Sequence, residues 1–219
     1  MALHPSIQDI PIPLRMQKLA VDHRGFPVPY FVAWVNGQPD HRVADDRKRV
    51  RCVKEKRCWL CGDRLQGSQF AFVIGPMCAV NRVSSEPPQH LSCALYAVQA
   101  CPFMARPHMI RRETGLPDDA QKPAGEMIRR NPGVSLVWVT KKYTLFNDGR
   151  GGTLFEIGAP LDVQWWCEGR SATYAEVMHS IETGLPILME HAHKDGRGAL
   201  RELERRLADA LLLVPKEAA

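Results

Sequence analysis

No run of this chain approaches the roughly eighteen consecutive apolar residues that a membrane span requires. Nor does its start have the basic-then-apolar layout of a secretory leader, because Pro5, Asp9, Pro11 and Pro13 interrupt it. The expectation is a cytoplasmic protein with no membrane partner. Two further signatures are missing: the Gly-x-x-x-x-Gly-Lys-Ser/Thr phosphate loop and the Gly-x-Ser-x-Gly nucleophile elbow. Internal repeats and low-complexity tracts are absent. Aromatics make up only 7% of residues, too few around the basic segments for an obvious base-stacking surface.

What is present is ordinary in bulk and uneven in detail. The 219 residues are 45% apolar and 24% charged, enough to bury a real core. Seven cysteines in a reducing compartment favour metal ligation or free thiols over disulfides. The net charge of +5 is concentrated early: residues 1–130 hold 19 Lys and Arg against 12 Asp and Glu, and residues 131–219 hold 10 against 12. A basic first half admits an anionic partner, although a solvated basic surface gives the same excess.

Organisation follows from breakers and periodicity. Pro27 and Pro29 bar a helix before "YFVAWV" (30–35), which has strand composition, and "NGQPD" (36–40) reads as a turn. Asp45 is placed to cap a short basic helix, "DRKRVRCVKEKR". "FAFVIG" (70–75) and "MCAVNRV" (77–83) read as two strands of a hairpin, and "HLSCALYAVQAC" (90–101) as a helix ended by Pro102. Residues 113–133, with three prolines and three glycines, are the expected linker between an N-terminal region, 1–112, and a C-terminal unit, 134–219. That unit shows four strand-like runs, a tight "NDGRGG" turn, a capping box at Thr173 and Glu176, and a helix expected to stop at Gly184. A leucine stripe at 200, 203, 207 and 211 marks a last helix. The fold class is α+β.

"CWLCG" (58–62) carries the strongest chemical signal. A Cys-x-x-Cys turn supplies two thiolates, and a tetrahedral zinc site needs two more soft or borderline ligands. The first turn of a helix is an economical source, since positions three apart share a face. His90 and Cys93 have that spacing at the start of "HLSCALYAV". Cys78 and Cys101 remain alternatives to His90, and Cys52 and Cys167 read as inert buried thiols. A redox pair is the weaker reading, because Cys58 follows a basic segment rather than a strand of a βαβ unit.

Knuckle, hairpin, then a helix bearing the second ligand pair is an order that resembles the treble-clef zinc fingers, over residues 55–103. The resemblance implies a structural Zn2+ held by Cys58, Cys61, His90 and Cys93. The wider frame, "RGFPVPYFV … CWLCG … FVIGPM … EPPQH", resembles proteins of phage and actinobacterial origin, which brings no activity with it; a phage-encoded chain would act in the bacterial host cytoplasm.

Four protein ligands close a zinc shell and leave no position for water, so function must be sought around the metal. The favoured expectation is nucleic-acid binding, DNA above all, with Arg47, Lys48, Arg49, Arg51, Arg57, Arg111 and Arg112 on phosphate. A protein-interaction or regulatory module is the alternative, from "QWW" (164–166) and the amphipathic last helix. A metal-dependent nuclease of the HNH kind ranks below both: residues 62–89 contain no histidine, and the Asp-His pair in "DHRG" (22–25) precedes the knuckle and reads as a turn. "HAHKDG" (191–196) reads as a surface loop. "WCEGR" (166–170) is the most enzyme-like cluster left, with no adjoining histidine to activate its thiol.

Overall fold

The structure, a computed structural model, describes residues 2–106, 109, 114–117, 123–125 and 131–217. Most of the expected linker lies outside these residues, as do Arg111 and Arg112.

Two 3-10 turns, Pro5–Ile7 and Leu14–Met16, lead into a hairpin of β1 (Val32–Val35) and β2 (Gln38–Ala44). Its turn is only Asn36 and Gly37, at φ 50° and 76°, the positive values that two-residue hairpin turns demand. "QPD", read as turn from its proline and aspartate, instead opens the partner strand. Helix α1 (Asp46–Lys54) follows, and the Asp45 carboxylate caps it by accepting from the Lys48 amide at 3.1 Å.

Next come β3 (Phe70–Ile74), α2 (Pro76–Asn81), β4 (Val83–Ser84) and α3 (Leu91–Ala100). The hairpin expected between the ligand pairs does not form. Pro76 in the first turn, preceded by Gly75, starts a helix over "PMCAVN", and Arg82 at φ 57° ends it. The C-terminal strands are β5 (Ser135–Thr140), β6 (Tyr143–Asn147), β7 (Thr153–Ile157), β8 (Pro160–Cys167) and β9 (Arg170–Ser171). Helices α4 (Tyr174–Asp195) and α5 (Arg197–Leu211) close the chain. The capping box at Thr173 and Glu176 is present, but α4 does not stop at Gly184. Gly184 is buried and Pro186 exposed, and the helix continues past both through 191–195 despite the hydrogen bond that the proline cannot donate. "HAHKD" is therefore helical, not a loop.

Strand β3 pairs with β5 rather than with β4, in a four-stranded antiparallel sheet ordered β3-β5-β8-β9. Residues on both sides of the expected linker thus share one sheet. β4 pairs with β7 in a second sheet, ordered β4-β7-β6. Central strand β5 is buried on both faces. Leu136 and Trp138 pack with Phe72, Phe155, Val177, Ile181 and Leu203 on the side of α2, α4 and α5, and Val137 and Val139 pack with Ala94 and Val98 of α3. Each such side chain withdrawn from water contributes about 1.5–3 kcal/mol before chain entropy is counted. The opposite face of α3 joins a separate apolar cluster with Ile7, Met16, Phe26 and Leu60. Helix α3 therefore ties the N-terminal layer to the sheet. Among the described residues no helix is long and apolar enough to cross a membrane.

Candidate metal centre

The knuckle is built from backbone hydrogen bonds across residues 56–65. The Leu65 amide donates to the Lys56 carbonyl at 2.7 Å, the Cys58 amide to Asp63 at 2.8 Å, and the Gly62 amide back to Cys58 at 2.9 Å. Closing so tight a loop puts Gly62 at φ 77°, where a Cβ would stand 2.6 Å from the Tyr30 ring. Only glycine satisfies both demands. Buried Trp59 stacks on Phe31 at 4.8 Å between centroids and fixes the loop against the N-terminal layer.

The second ligand pair is delivered by the sheet. Gln89 exchanges two amide–carbonyl bonds with Ala71 beside β3, at 3.0 and 2.8 Å, and this sets His90 at the N-cap of α3. Cys93 lies one helical turn on. The ligand atoms of Cys58, Cys61, His90 and Cys93 all fall within 4.8 Å of one another. Cys61 Sγ and His90 Nδ1 are 3.4 Å apart, close to the about 3.5 Å that Zn–S and Zn–N bonds of ordinary length subtend at a tetrahedral angle. Exposure of the three cysteines is 0%, 1% and 0%. The cluster is positioned to bind a metal ion.

A surrounding shell orients the ligands. His90 Nε2 lies 3.2 Å from the Arg64 carbonyl oxygen. A carbonyl can only accept, so Nε2 carries the proton and Nδ1 presents its lone pair to the cysteines. The His90 amide donates to Cys58 Sγ at 3.5 Å. The neighbouring thiols of Cys61 and Cys93 also donate to that sulfur and hold Cys58 well below the usual thiol range, while sharing one thiolate pushes Cys93 up. The arrangement favours at least one anionic sulfur.

The other cysteines stand apart. Burial pushes the Cys52 thiol up to about 12 and Cys78 up to about 11, and it raises Cys101 as well. Cys78 packs against the main core from α2 and Cys101 caps the end of α3, so neither replaces His90. Cys167 belongs to the turn between β8 and β9, where Glu168 and Gly169 take positive φ. Burial, then the Glu176 carboxylate, pushes that thiol up to about 11, the opposite of an activated nucleophile.

The basic residues separate into two groups. Arg47, Val50, Arg51 and Lys54 share the exposed face of α1, at helical spacing. Arg51 pairs with Glu55 at 3.1 Å on that surface. Lys48, by contrast, donates to the Val32 carbonyl at 2.7 Å, and Arg49 bridges the carbonyls of Ser85 and Thr153 at 3.1 and 2.6 Å. Arg57 donates to Glu55 and to the Gly62 carbonyl, at 2.6 and 2.9 Å, bracing the knuckle. These three residues commit donors to the protein itself.

Three features were not read from the sequence. The Arg64 carbonyl left no signal, because it acts through backbone. Trp34 alone of the five tryptophans is exposed, at 51%. A second Asp-His pair, Asp40–His41, lies on β2, and His41 Nε2 sits 3.2 Å from the Asp22 carboxylate. Asp22 also accepts from the Arg24 and Phe26 amides, both at 2.9 Å, and from the Arg24 guanidinium. "DHRG" is thus the turn expected of it, clamped to β2. Protein-family models, curated proteins and solved structures yield no match to this chain, so the metal centre is understood from its own geometry.

Proposed function

We propose that the chain is a zinc-binding, nucleic-acid-binding protein whose metal is structural and whose favoured partner is DNA. Three thiolates and one imidazole are the donor set zinc prefers among the common divalent ions. A knuckle followed by a helix bearing the second ligand pair keeps two of the three parts of a treble clef and lacks its hairpin. The strand between them is lent to the central sheet rather than to a hairpin of its own. With four protein ligands around it, zinc would hold α3 to the knuckle and leave no open position for water.

One observation carries the partner reading: the solvent face of α1, which runs directly into the knuckle. Arg47, Arg51 and Lys54 project from it, and exposed Lys56 extends the patch. Cations spaced along one helix face suit the phosphates of a nucleic-acid strand, where counterion release supplies most of the non-specific affinity. Exposed Trp34 on β1, a strand tied to α1 by the Lys48 ammonium on the Val32 carbonyl, would add an aromatic face for stacking unpaired bases. Elemental analysis of the purified chain, with a DNA mobility shift at two salt concentrations, tests both parts. One zinc per chain with salt-dependent retardation is expected. Zinc without retardation leaves a structural metal protein and overturns the DNA reading.

A further inference from the structure

The outer edge of β6 is an apolar strand with no partner among the described residues. β6 is terminal in the sheet ordered β4-β7-β6, and four of its five residues are exposed. Leu145 and Phe146, on opposite faces, are 47% and 41% exposed. Native edges are usually blunted by proline, an inward charge or a bulge. β6 has none of these: "YTLFN" contains no proline or charge, and its pairing with β7 runs in unbroken register.

The hydrogen-bond parity of this edge is fixed. The Gly158 amide donates to the Lys142 carbonyl at 3.1 Å and the Asp148 amide to Gly152 at 3.0 Å, so even-numbered residues face β7. In an antiparallel pair the bonding direction alternates, and Tyr143, Leu145 and Asn147 therefore direct N–H and C=O outward. The ends carry opposite charges. Exposed Lys142 precedes the strand. Asp148 follows it, kept ionised by the amides of Gly125, Arg150 and Gly152.

We propose that β6 pairs antiparallel with β6 of a second copy of this chain, on a two-fold axis through Leu145. Only odd residues present outward groups, so the register must match odd with odd, and centring on Leu145 uses all three of them. That register sets Lys142 against Asp148 of the second copy at both ends, and each copy gains the same two ion pairs. A parallel pairing would place Lys against Lys, which disfavours it. The resulting dimer doubles the sheet and covers Leu145 and Phe146. The proposal is independent of the DNA reading and of the metal.

Sedimentation velocity of the full zinc-loaded chain over a concentration series tests it. A concentration-dependent dimer is expected. Leu145→Pro deletes the central outward N–H without touching the ladder to β7 and should abolish dimerisation while leaving the thermal transition in place. Lys142→Glu sets like charges at both ends and should weaken the dimer about tenfold. Amide exchange gives a readout on the unaltered protein: Leu145 and Asn147 amides should gain protection as concentration rises. A wild-type chain monomeric up to its solubility limit overturns the proposal. So does a dimer that survives Lys142→Glu unchanged and shows no concentration-dependent protection at these amides.

Discussion

His90 Nε2 meets the Arg64 carbonyl at 3.2 Å while Nδ1 of the same ring faces Cys61 Sγ at 3.4 Å. One imidazole thus joins the start of α3 to the turn and the second limb of the knuckle, and its tautomer is set by a backbone group rather than by another side chain.

His90→Ala should lower zinc affinity by more than about a hundredfold, since losing a ligand costs more than losing an outer-shell partner. His90→Cys should keep one zinc per chain by completing a four-thiolate shell. Cys78→Ser and Cys101→Ser should leave the stoichiometry unchanged. Elemental analysis and competition with a metallochromic chelator read all four variants. Stripping the metal should release amides in residues 56–65 to exchange first, with β5 amides retained, because one face of β5 is packed by α2, α4 and α5, which carry none of the four cluster residues.

Gly62→Ala tests the knuckle without altering a ligand. The new Cβ would meet the Tyr30 ring at 2.6 Å on a backbone with φ of 77°. A loss of about 2 kcal/mol or more is expected, with a matching fall in zinc affinity. Chemical denaturation with and without added zinc measures both.

The two groups of basic residues should separate by assay. Replacing Arg47, Arg51 and Lys54 together with Gln should weaken DNA binding and flatten its salt dependence, with little change in stability. Arg49→Gln should do the reverse. It leaves the Ser85 and Thr153 carbonyls without their donor, at a cost of about 1–3 kcal/mol, and keeps the salt slope. A triple variant with unchanged affinity and slope would mark that helix face as ordinary surface.

Trp34→Ala should reduce affinity for single-stranded DNA by about 1–3 kcal/mol and affect duplex binding less, because only unpaired bases offer a free face for stacking. Equal effects on both substrates, or none on either, would remove Trp34 from the interface. Fluorescence anisotropy with labelled strands provides the comparison.

Acid should weaken the start of α4. The Arg170 guanidinium, 2.6 Å away, holds the Glu176 carboxyl down at about 2, against an ordinary value of 4.5. A depressed carboxylate contributes its full stability above the ordinary value and loses it as pH falls through the folded one. The loss therefore runs from about 4.5 towards 2. Glu176→Gln should flatten the pH dependence of the melting temperature across that interval. Glu176→Ala should also cost about 1 kcal/mol at neutral pH through the broken capping box.

The two halves of the Cys3His cluster were legible because each is local, while the choice of His90 over Cys78 or Cys101 came from the tertiary structure. Two Cys-x-x-Cys or His-x-x-Cys spacings identify a turn and a helix start whatever surrounds them, and the caps at Asp45 and Thr173 are local in the same way. α2 was misread because "MCAV" is an apolar run that suits strand or helix equally, and Pro76 decided it. α4 outran its glycine because Gly184 is packed inside the molecule while Pro186 faces water, a distinction no window of sequence contains.

By itself, then, the sequence determined the α+β character, the Cys-x-x-Cys and His-x-x-Cys spacings and the basic segment that precedes them, since short-range spacing and capping chemistry are enough for each. Only the tertiary structure decided that β3 crosses to β5 and that Arg49 turns inward while Arg47 faces solvent. It also decided that β6 is left as an open edge. Such outcomes depend on which surfaces meet across long stretches of chain, and strand pairing and burial are settled by that meeting rather than by any residue's neighbours in sequence.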